Sequence, residues 1–198
     1  MENQILLILF IIFGYLSGSI PFGYLIGKIK NIDVRKKGSG NIGGTNVART
    51  LGFKYGILVG LLDIFKAVLP IYIASQYLTL DWQMAIVSIS PVIGHVFPVW
   101  LRFKGGKGVS TVAATLFMIL GLKYSLIFLG LWIIMLLIIN IMSLTNLIII
   151  LSLPILFWYK THSVSYLILS FLYIIIIWWA HRENIQRLKQ GTESKLFK

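Results

Sequence analysis

Long apolar runs, broken by short polar stretches rich in glycine, set the pattern of this chain. About 20 apolar residues cross a bilayer as a helix, and that ruler predicts seven helical segments at residues 5–27, 55–75, 83–101, 109–122, 124–143, 144–159 and 164–180, the fourth and sixth short. The predicted fold class is an all-α polytopic membrane protein with seven transmembrane helices. The first segment is expected to stay as a helix and not to be removed as a signal peptide: residues 1–4 carry no positive charge, the apolar stretch is too long, and no small-x-small cleavage site follows. Asp63 and Lys66 lie three residues apart on one face of the second segment, where opposite charges pair and reduce the cost of burial in lipid. That pair is either an internal ion pair alone or a support for a nearby site.

Composition agrees with the pattern. Of 198 residues 58% are hydrophobic and 12% charged, with a mean hydropathy of +0.88. The net charge of +12 sits in short loops between segments, where it suits anionic lipid and anionic substrates; no nucleic-acid partner is expected. Without cysteine, thiolate chemistry and disulfides are excluded, and His95, His162 and His181 form no ligand motif, so neither metal nor cofactor is expected.

Charge also predicts orientation. Residues 28–54 hold seven Lys or Arg, residues 102–107 three and residues 182–198 five, fifteen of the eighteen in all, and seven crossings put these stretches on one side. Cytoplasmic loops are enriched in such residues, so the N-terminus is expected outside and the C-terminus in the cytoplasm. Five pieces of chain then converge on the cytoplasmic level: the end of the first polar motif, all of the second, the basic end of the third, residues 143–146 and residues 181–185.

The motifs are Gly18-Ser-Ile-Pro-Phe-Gly23, Gly38-Ser-Gly-Asn-Ile-Gly-Gly-Thr-Asn-Val-Ala-Arg49 and Gly94-His-Val-Phe-Pro-Val-Trp-Leu-Arg-Phe-Lys-Gly-Gly-Lys-Gly108. Glycine lets backbone N–H groups turn toward an anion, Asn and Thr add neutral donors, and Lys and Arg add charge, which together describe a phosphate pocket. Each has a plainer reading. The glycines and Pro21 of the first motif also suit close helix packing and a kink, the second could be an ordinary polar loop, and His95 could simply hydrogen-bond at a helix end. Gly105-Gly-Lys-Gly is similar to a Walker loop but lacks its spacing, which disfavours nucleotide hydrolysis. A carrier places its site near the midplane between repeated halves, and no such repeat is visible. A pocket at the cytoplasmic surface fits better, open to soluble anions and to acyl chains; an anion transporter or a non-catalytic scaffold are the competing classes.

Six strings in order resemble the bacterial membrane family of acyl-phosphate:glycerol-3-phosphate acyltransferases: Gly18-Ser-Ile-Pro-Phe-Gly23, the residues 38–49 motif, Asp63-Ile-Phe-Lys66, Gly94-His-x-Phe-Pro-Val99, Phe103-Lys-Gly-Gly-Lys-Gly-Val-x-Thr111 and His181-Arg-Glu-Asn-Ile-x-Arg-Leu188. The resemblance implies a single membrane acyltransferase domain over residues 1–198, with cytoplasmic motif loops at about 28–54 and 102–108 and a tail at 181–198. It implies transfer of a fatty acyl group from acyl phosphate to the 1-hydroxyl of sn-glycerol 3-phosphate, giving lysophosphatidic acid and inorganic phosphate, the first acylation of phospholipid synthesis. The donor is then neither acyl-CoA nor acyl carrier protein. Membrane lipid and a transient soluble acyltransferase that makes acyl phosphate are the expected partners, and the bacterial cytoplasmic membrane the location.

By the same resemblance, Ser39, Thr45, Arg49, Lys107, His181 and Asn184 match positions tied to binding and catalysis. Lys107, Ser39 and His181 are the candidate catalytic residues. Gly38, Gly40, Asn41, Gly43, Thr45, Asn46, Arg49, Lys104, Gly105, Gly106, Ser143, Asn146 and Asn184 are the candidate substrate-binding ones. The loop of residues 38–44 with Ser39 and Thr45 is expected to cradle the acyl phosphate, Lys107 to stabilise developing charge, and Arg49, His181 and Asn184 to hold glycerol phosphate. The HxxxxD dyad of the better-known glycerophosphate acyltransferases is absent. Acyl phosphate is already activated, so positioning and charge stabilisation suffice, with a substrate phosphate expected to take the hydroxyl proton. Two positions depart from the family. Gly44 stands where Ala is usual, a change expected only to loosen the loop. Residues 140–146 read Asn-Ile-Met-Ser-Leu-Thr-Asn in place of Arg-Tyr-x-Ser-Leu-x-Ser, which keeps Ser143 and puts Asn146 at the second serine.

Overall fold

The computed structural model describes residues 2–196, and among them every regular element is helical. The chain divides into two compact units, Met1–Thr115 and Leu116–Lys198.

The first unit begins with α1 (Glu2–Gly18) and α2 (Phe22–Ile29), which share one apolar span, Asn3–Ile29. The segment expected as one helix breaks at residues 19–21, because Pro21 has no N–H to continue the ladder and the turn closes by Ser19 N–H and Oγ on the Tyr15 carbonyl, at 2.9 and 2.8 Å. After the loop come α3 (Gly44–Leu51), α4 (Phe53–Ser75), α5 (Asp81–Val96), a 3-10 turn over Val99–Leu101 and α6 (Val109–Leu120). Close packing of α1 on α5 depends on missing side chains. A Cβ on Gly14 would strike the Ser90 hydroxyl, one on Gly18 the Pro91 backbone, and one on Gly94 the Tyr15 carbonyl, the small-residue contact that brings membrane helices together. The packing reading of the first motif is therefore realised.

In the second unit, α7 (Leu122–Ile139) is followed by α8 (Met142–Ile149), a 3-10 turn over Ile150–Ser152 and α9 (Leu153–Thr161), which run on as one span, Met142–Thr161. Then α10 (Val164–Ala180) bends by 61° into α11 (Arg182–Lys189). Helices α9 and α10 pack on each other, and Leu153 and Phe157 of α9 and Leu169, Tyr173 and Ile177 of α10 are buried. Large apolar side chains such as Leu126, Leu137, Ile138, Ile155 and Ile175 remain exposed, surface that suits hydrocarbon and not water.

Each expected apolar segment is helical, but their lengths differ. Among the described residues, five helices are long and apolar enough to cross a bilayer, six if the bent pair α10–α11 counts as one. The fourth segment, α6, has 12 residues and stops before Gly121, whose φ of +82° ends the helix. It rises only about 18 Å against a hydrocarbon core of about 30 Å.

Candidate active site

The residues 30–43 stretch is a folded element with its own small core, not an ordinary polar loop. Val34, Ile42, Val47 and Val59 are buried together, with Tyr24, Leu51 and Tyr55 packed around them. A 3-10 turn at Val34–Lys36 is capped by Asp33, which accepts from the Arg35 N–H and pairs with its guanidinium at 2.9 and 2.8 Å. Hydrogen bonding to Arg35 holds the Asp33 carboxyl down to about 2. Arg35 in turn lies 4.4 Å above the Tyr24 ring of α2.

Asn46 organises the glycine-rich segment. Its Oδ1 accepts the Ser39 N–H at 2.8 Å, and its amide donates to the Val34 and Asn41 carbonyls at 2.9 and 2.7 Å. Expected against substrate, this buried side chain instead binds the loop to itself. Asn41 does likewise, accepting the Gly43 N–H at 2.8 Å, and the Gly40 N–H goes to the Lys37 carbonyl at 3.0 Å. Gly38 and Gly40 supply the left-handed turns, φ +60° and +71°, that this closure needs. The anion nest expected over residues 38–44 is thus narrower, since the N–H groups of Ser39, Gly40 and Gly43 are engaged within the loop. What remains to face an anion is the Ser39 hydroxyl, the Thr45 hydroxyl and the start of α3, whose first N–H groups have no partner within the helix. Arg49 is exposed on the last turn of α3.

Gly44 does not loosen the loop, as the sequence suggested. It opens α3 against α4, where an added Cβ would lie 2.6 Å from the Gly56 carbonyl oxygen. Helix α3 was hidden in the sequence by the polar residues around it; the readable signal was Val47 and Leu51, one turn apart after Gly43.

The third motif doubles back on the end of α5. Arg102 and Phe103 both take left-handed φ, +52° and +62°, after which Gly105 and Gly106 donate their N–H groups to the Val96 and His95 carbonyls at 3.1 and 3.0 Å. These two glycines were expected on substrate; their donors are engaged by the chain, and the His95 ring occupies the space a Cβ on Gly106 would need. Lys107 is half-buried beyond this turn and Lys104 exposed. Beneath it, Asp63 and Lys66 pair at 2.8 Å as the spacing predicted, both almost wholly buried, and His95 Nδ1 lies 3.6 Å from the same Asp63 oxygen. Lys66 also donates to the Ile20 carbonyl at 2.7 Å and Ser17 to the Lys66 carbonyl at 2.6 Å, so the charged cluster joins the first motif to the third.

The second unit carries a separate polar strip. Ser143, at the start of α8, and Asn184, on α11, both donate to one Oε1 of Glu193, at 2.8 and 2.6 Å, and Arg187 Nε donates to its Oε2 at 2.6 Å. Burial alone would push the Glu193 carboxyl up; hydrogen bonds from Arg187, Asn184 and Ser143 outweigh it and hold the group below the usual glutamate range. His181, fully buried, places Nδ1 2.8 Å from the Ile177 carbonyl. A carbonyl only accepts, so Nδ1 carries the hydrogen and the neutral ring has its acceptor at Nε2. Asn146 is turned elsewhere: its Oδ1 accepts the Trp132 indole N–H at 2.8 Å, which ties α8 to α7. Sequence reasoning missed Glu193 and Trp132. The signal for Glu193 was an acid in a basic tail, one of six in the whole chain.

Known proteins are similar to this chain in both sequence and fold. The family model described as glycerol-3-phosphate acyltransferase matches residues 8–191. A protein named glycerol-3-phosphate acyltransferase from Prochlorococcus marinus (strain NATL1A) is 46% identical over 197 residues, covering 96% of this chain and 98% of its own; one of the same name from Aquifex aeolicus (strain VF5) is 38% identical over 189 residues, covering 93% and 96%. The crystal structure of PlsY, an integral membrane glycerol 3-phosphate acyltransferase, in its glycerol 3-phosphate form superposes with a TM-score of 0.91 at 36% identity, covering 97% of this chain and 99% of that one. Its lysophosphatidic acid form gives 0.88 at 36% identity, over 96% and 94%. On these grounds the chain belongs to the glycerol-3-phosphate acyltransferase family.

Proposed function

We propose that this acyltransferase takes its acyl group from acyl phosphate and delivers it to the 1-hydroxyl of sn-glycerol 3-phosphate, releasing lysophosphatidic acid and inorganic phosphate. The observation that carries this reading is the close match, over nearly the whole chain, to a structure in a glycerol 3-phosphate form, with a lysophosphatidic acid form beside it. Both substrates are phosphate monoesters or anhydrides, and the chain has two polar clusters with cations: the loops around Ser39, Thr45 and Lys107, and the strip of Ser143, His181, Asn184 and Arg187.

Ser39, Thr45 and the start of α3 hold the acyl phosphate, and Lys107 stabilises charge as the carbonyl is attacked. Arg49 and His181 hold glycerol 3-phosphate. Gly38, Gly40, Asn41, Gly43 and Asn46 act by shaping the loop, and Gly105 and Gly106 by setting the turn that presents Lys104 and Lys107. The 1-hydroxyl oxygen bonds to the acyl carbon, the acyl–phosphate bond breaks, and the hydroxyl proton passes to a substrate phosphate oxygen. No covalent enzyme intermediate is needed. Substrate positioning by a fixed site is worth several orders of magnitude in rate.

In the membrane, the whole chain acts as one integral domain. Counting α6 and α10 as crossings gives seven spans, with the N-terminus outside and the basic loops, the active site and the C-terminal tail at the cytoplasmic face of the bacterial inner membrane. The 61° bend supports this, because it turns the polar, basic α11 off the axis of α10 and along an interface. A soluble acyltransferase that makes acyl phosphate docks transiently at that face. Purified protein given labelled glycerol 3-phosphate with palmitoyl phosphate should form lysophosphatidate, and none with palmitoyl-CoA. Product from palmitoyl-CoA, or phosphate uptake into proteoliposomes without lipid product, would overturn the reading.

A further inference from the structure

The Glu193 carboxylate decides which way Asn184 faces. An ionised carboxylate has acceptors only, so the group 2.6 Å from it must be the Asn184 NH2 and not its oxygen. The Arg187 guanidinium on the other Glu193 oxygen keeps the carboxylate charged and in place. The tail that carries Glu193 is itself fixed: the Thr192 N–H donates to the Arg187 carbonyl at 2.9 Å, and the Leu196 N–H to the Asn140 carbonyl at 2.8 Å. With its NH2 thus committed, Asn184 turns Oδ1 to the opposite side. There the oxygen is buried, on a residue only 3% exposed, and has no hydrogen-bond partner among the described residues.

A buried acceptor without a partner is costly unless a ligand supplies a donor. Phosphate is the wrong complement, because at neutral pH it presents mainly acceptor oxygens, which a carbonyl oxygen repels. An alcohol is the right one. We infer that Glu193 is a positioning residue that fixes the polarity of Asn184, so that Asn184 accepts a hydrogen bond from a hydroxyl of the acyl acceptor and does not hold its phosphate. This rests on the reading of Asn184 as a residue that touches substrate, and it replaces the phosphate-holding role expected for it from sequence.

Two acceptor-site ligands separate hydroxyl from phosphate. In purified full-length protein, Asn184→Ala should weaken glycerol 3-phosphate, read as KM, by about tenfold. The same variant should leave competitive inhibition by propyl phosphate, which has the phosphate and no hydroxyl, unchanged within about twofold. Equal weakening of both would assign Asn184 to the phosphate and overturn the inference. No weakening of either would remove Asn184 from the substrate altogether, which is the failure of the underlying site reading.

The role of Glu193 is tested by exchanging the pair. Glu193→Gln presents an NH2 that draws the Asn184 oxygen toward itself and inverts its polarity; Asn184→Asp sets two carboxylates face to face. In the double variant Asn184→Asp/Glu193→Gln, the new amide donates to the new carboxylate, whose second oxygen again faces the hydroxyl. Each single change should cost tenfold or more in kcat/KM for glycerol 3-phosphate, and the double should recover most of it. A tail held only by the Arg187 ion pair gains nothing from the double, so a folded double variant as poor as the singles would overturn the positioning role. If the single variants fail to fold, the folded double alone, active or inactive, gives the same decision.

Discussion

The two polar regions rely on steric contact and on charge in different proportions. Around the first unit's motifs, closeness adds to the hydrogen bonds of Asn46 and the buried Asp63–Lys66 pair: Gly18, Gly23 and Gly94 lie against neighbouring backbone, Gly14 against the Ser90 hydroxyl, and Gly106 against the His95 ring. In the second unit position comes from charge and hydrogen bonds meeting on Glu193. A steric joint tolerates no added atom yet is indifferent to pH and salt, whereas a polar joint tolerates small changes of shape and depends on ionisation. The two regions should therefore fail differently.

The largest effect is expected where the steric joint is tightest. A Cβ on Gly23 would strike the Ile42 carbonyl backbone, so Gly23→Val should abolish folded, active protein, as read by detergent-solubilised yield and thermal unfolding; a stable, active variant would mean that the joint can open. Next is Lys107→Ala. Loss of a charge-stabilising contact in a dry site costs about 2 to 4 kcal/mol, so turnover should drop on the order of a hundredfold with folding intact, and near-normal turnover would remove Lys107 from the chemistry.

The polar joint should show itself through pH. Glu193 has its folded pKa held below the ordinary glutamate value, so its contribution is fully present above that ordinary value and is lost as pH falls through the folded one. Glu193→Ala should thus lower stability by about 2 kcal/mol at pH 7, with the gap to wild type closing as the solution is acidified below about 4. A gap that stays constant with pH would show that packing of the tail, and not its charge, matters. Smallest of all, Asn146→Ser should lose the Trp132 hydrogen bond and cost about 1 kcal/mol, visible as a shift in unfolding temperature. Because it restores the serine common in the family, its effect on kcat measures what that position contributes to turnover. Neutral replacement of His181 should raise KM for glycerol 3-phosphate and leave a measurable kcat at saturation if a substrate phosphate is the base; loss of kcat at saturating glycerol 3-phosphate would identify a protein base.

This contrast also explains what was legible in the sequence. Apolar length gave the seven apolar segments within about five residues, apart from the break in the first, and three-residue spacing gave the Asp63–Lys66 pair, because both depend on neighbours along the chain. The fold inside the second motif was harder to see. Asn46 looks like a ligand residue in a string of donors, and only the approach of Val34, Lys37 and Asn41 in space shows that its amide is engaged at home. Gly105 and Gly106 misled for the same reason: a glycine that opens its N–H to an anion and one that gives it to a neighbouring carbonyl are identical in sequence. The role of Glu193 was not legible, beyond its being an acid in a basic tail, because its partners Ser143 and Asn184 lie 50 and 9 residues away.

The Leu196–Asn140 link has a consequence for biosynthesis. Glu193 and Leu196 follow the last helix, so a nascent chain that has already inserted every apolar segment still lacks the carboxylate on which Ser143, Asn184 and Arg187 converge. Translation must pass beyond α11 before that strip can close, so the polar joint forms only after the helices it ties together have been made.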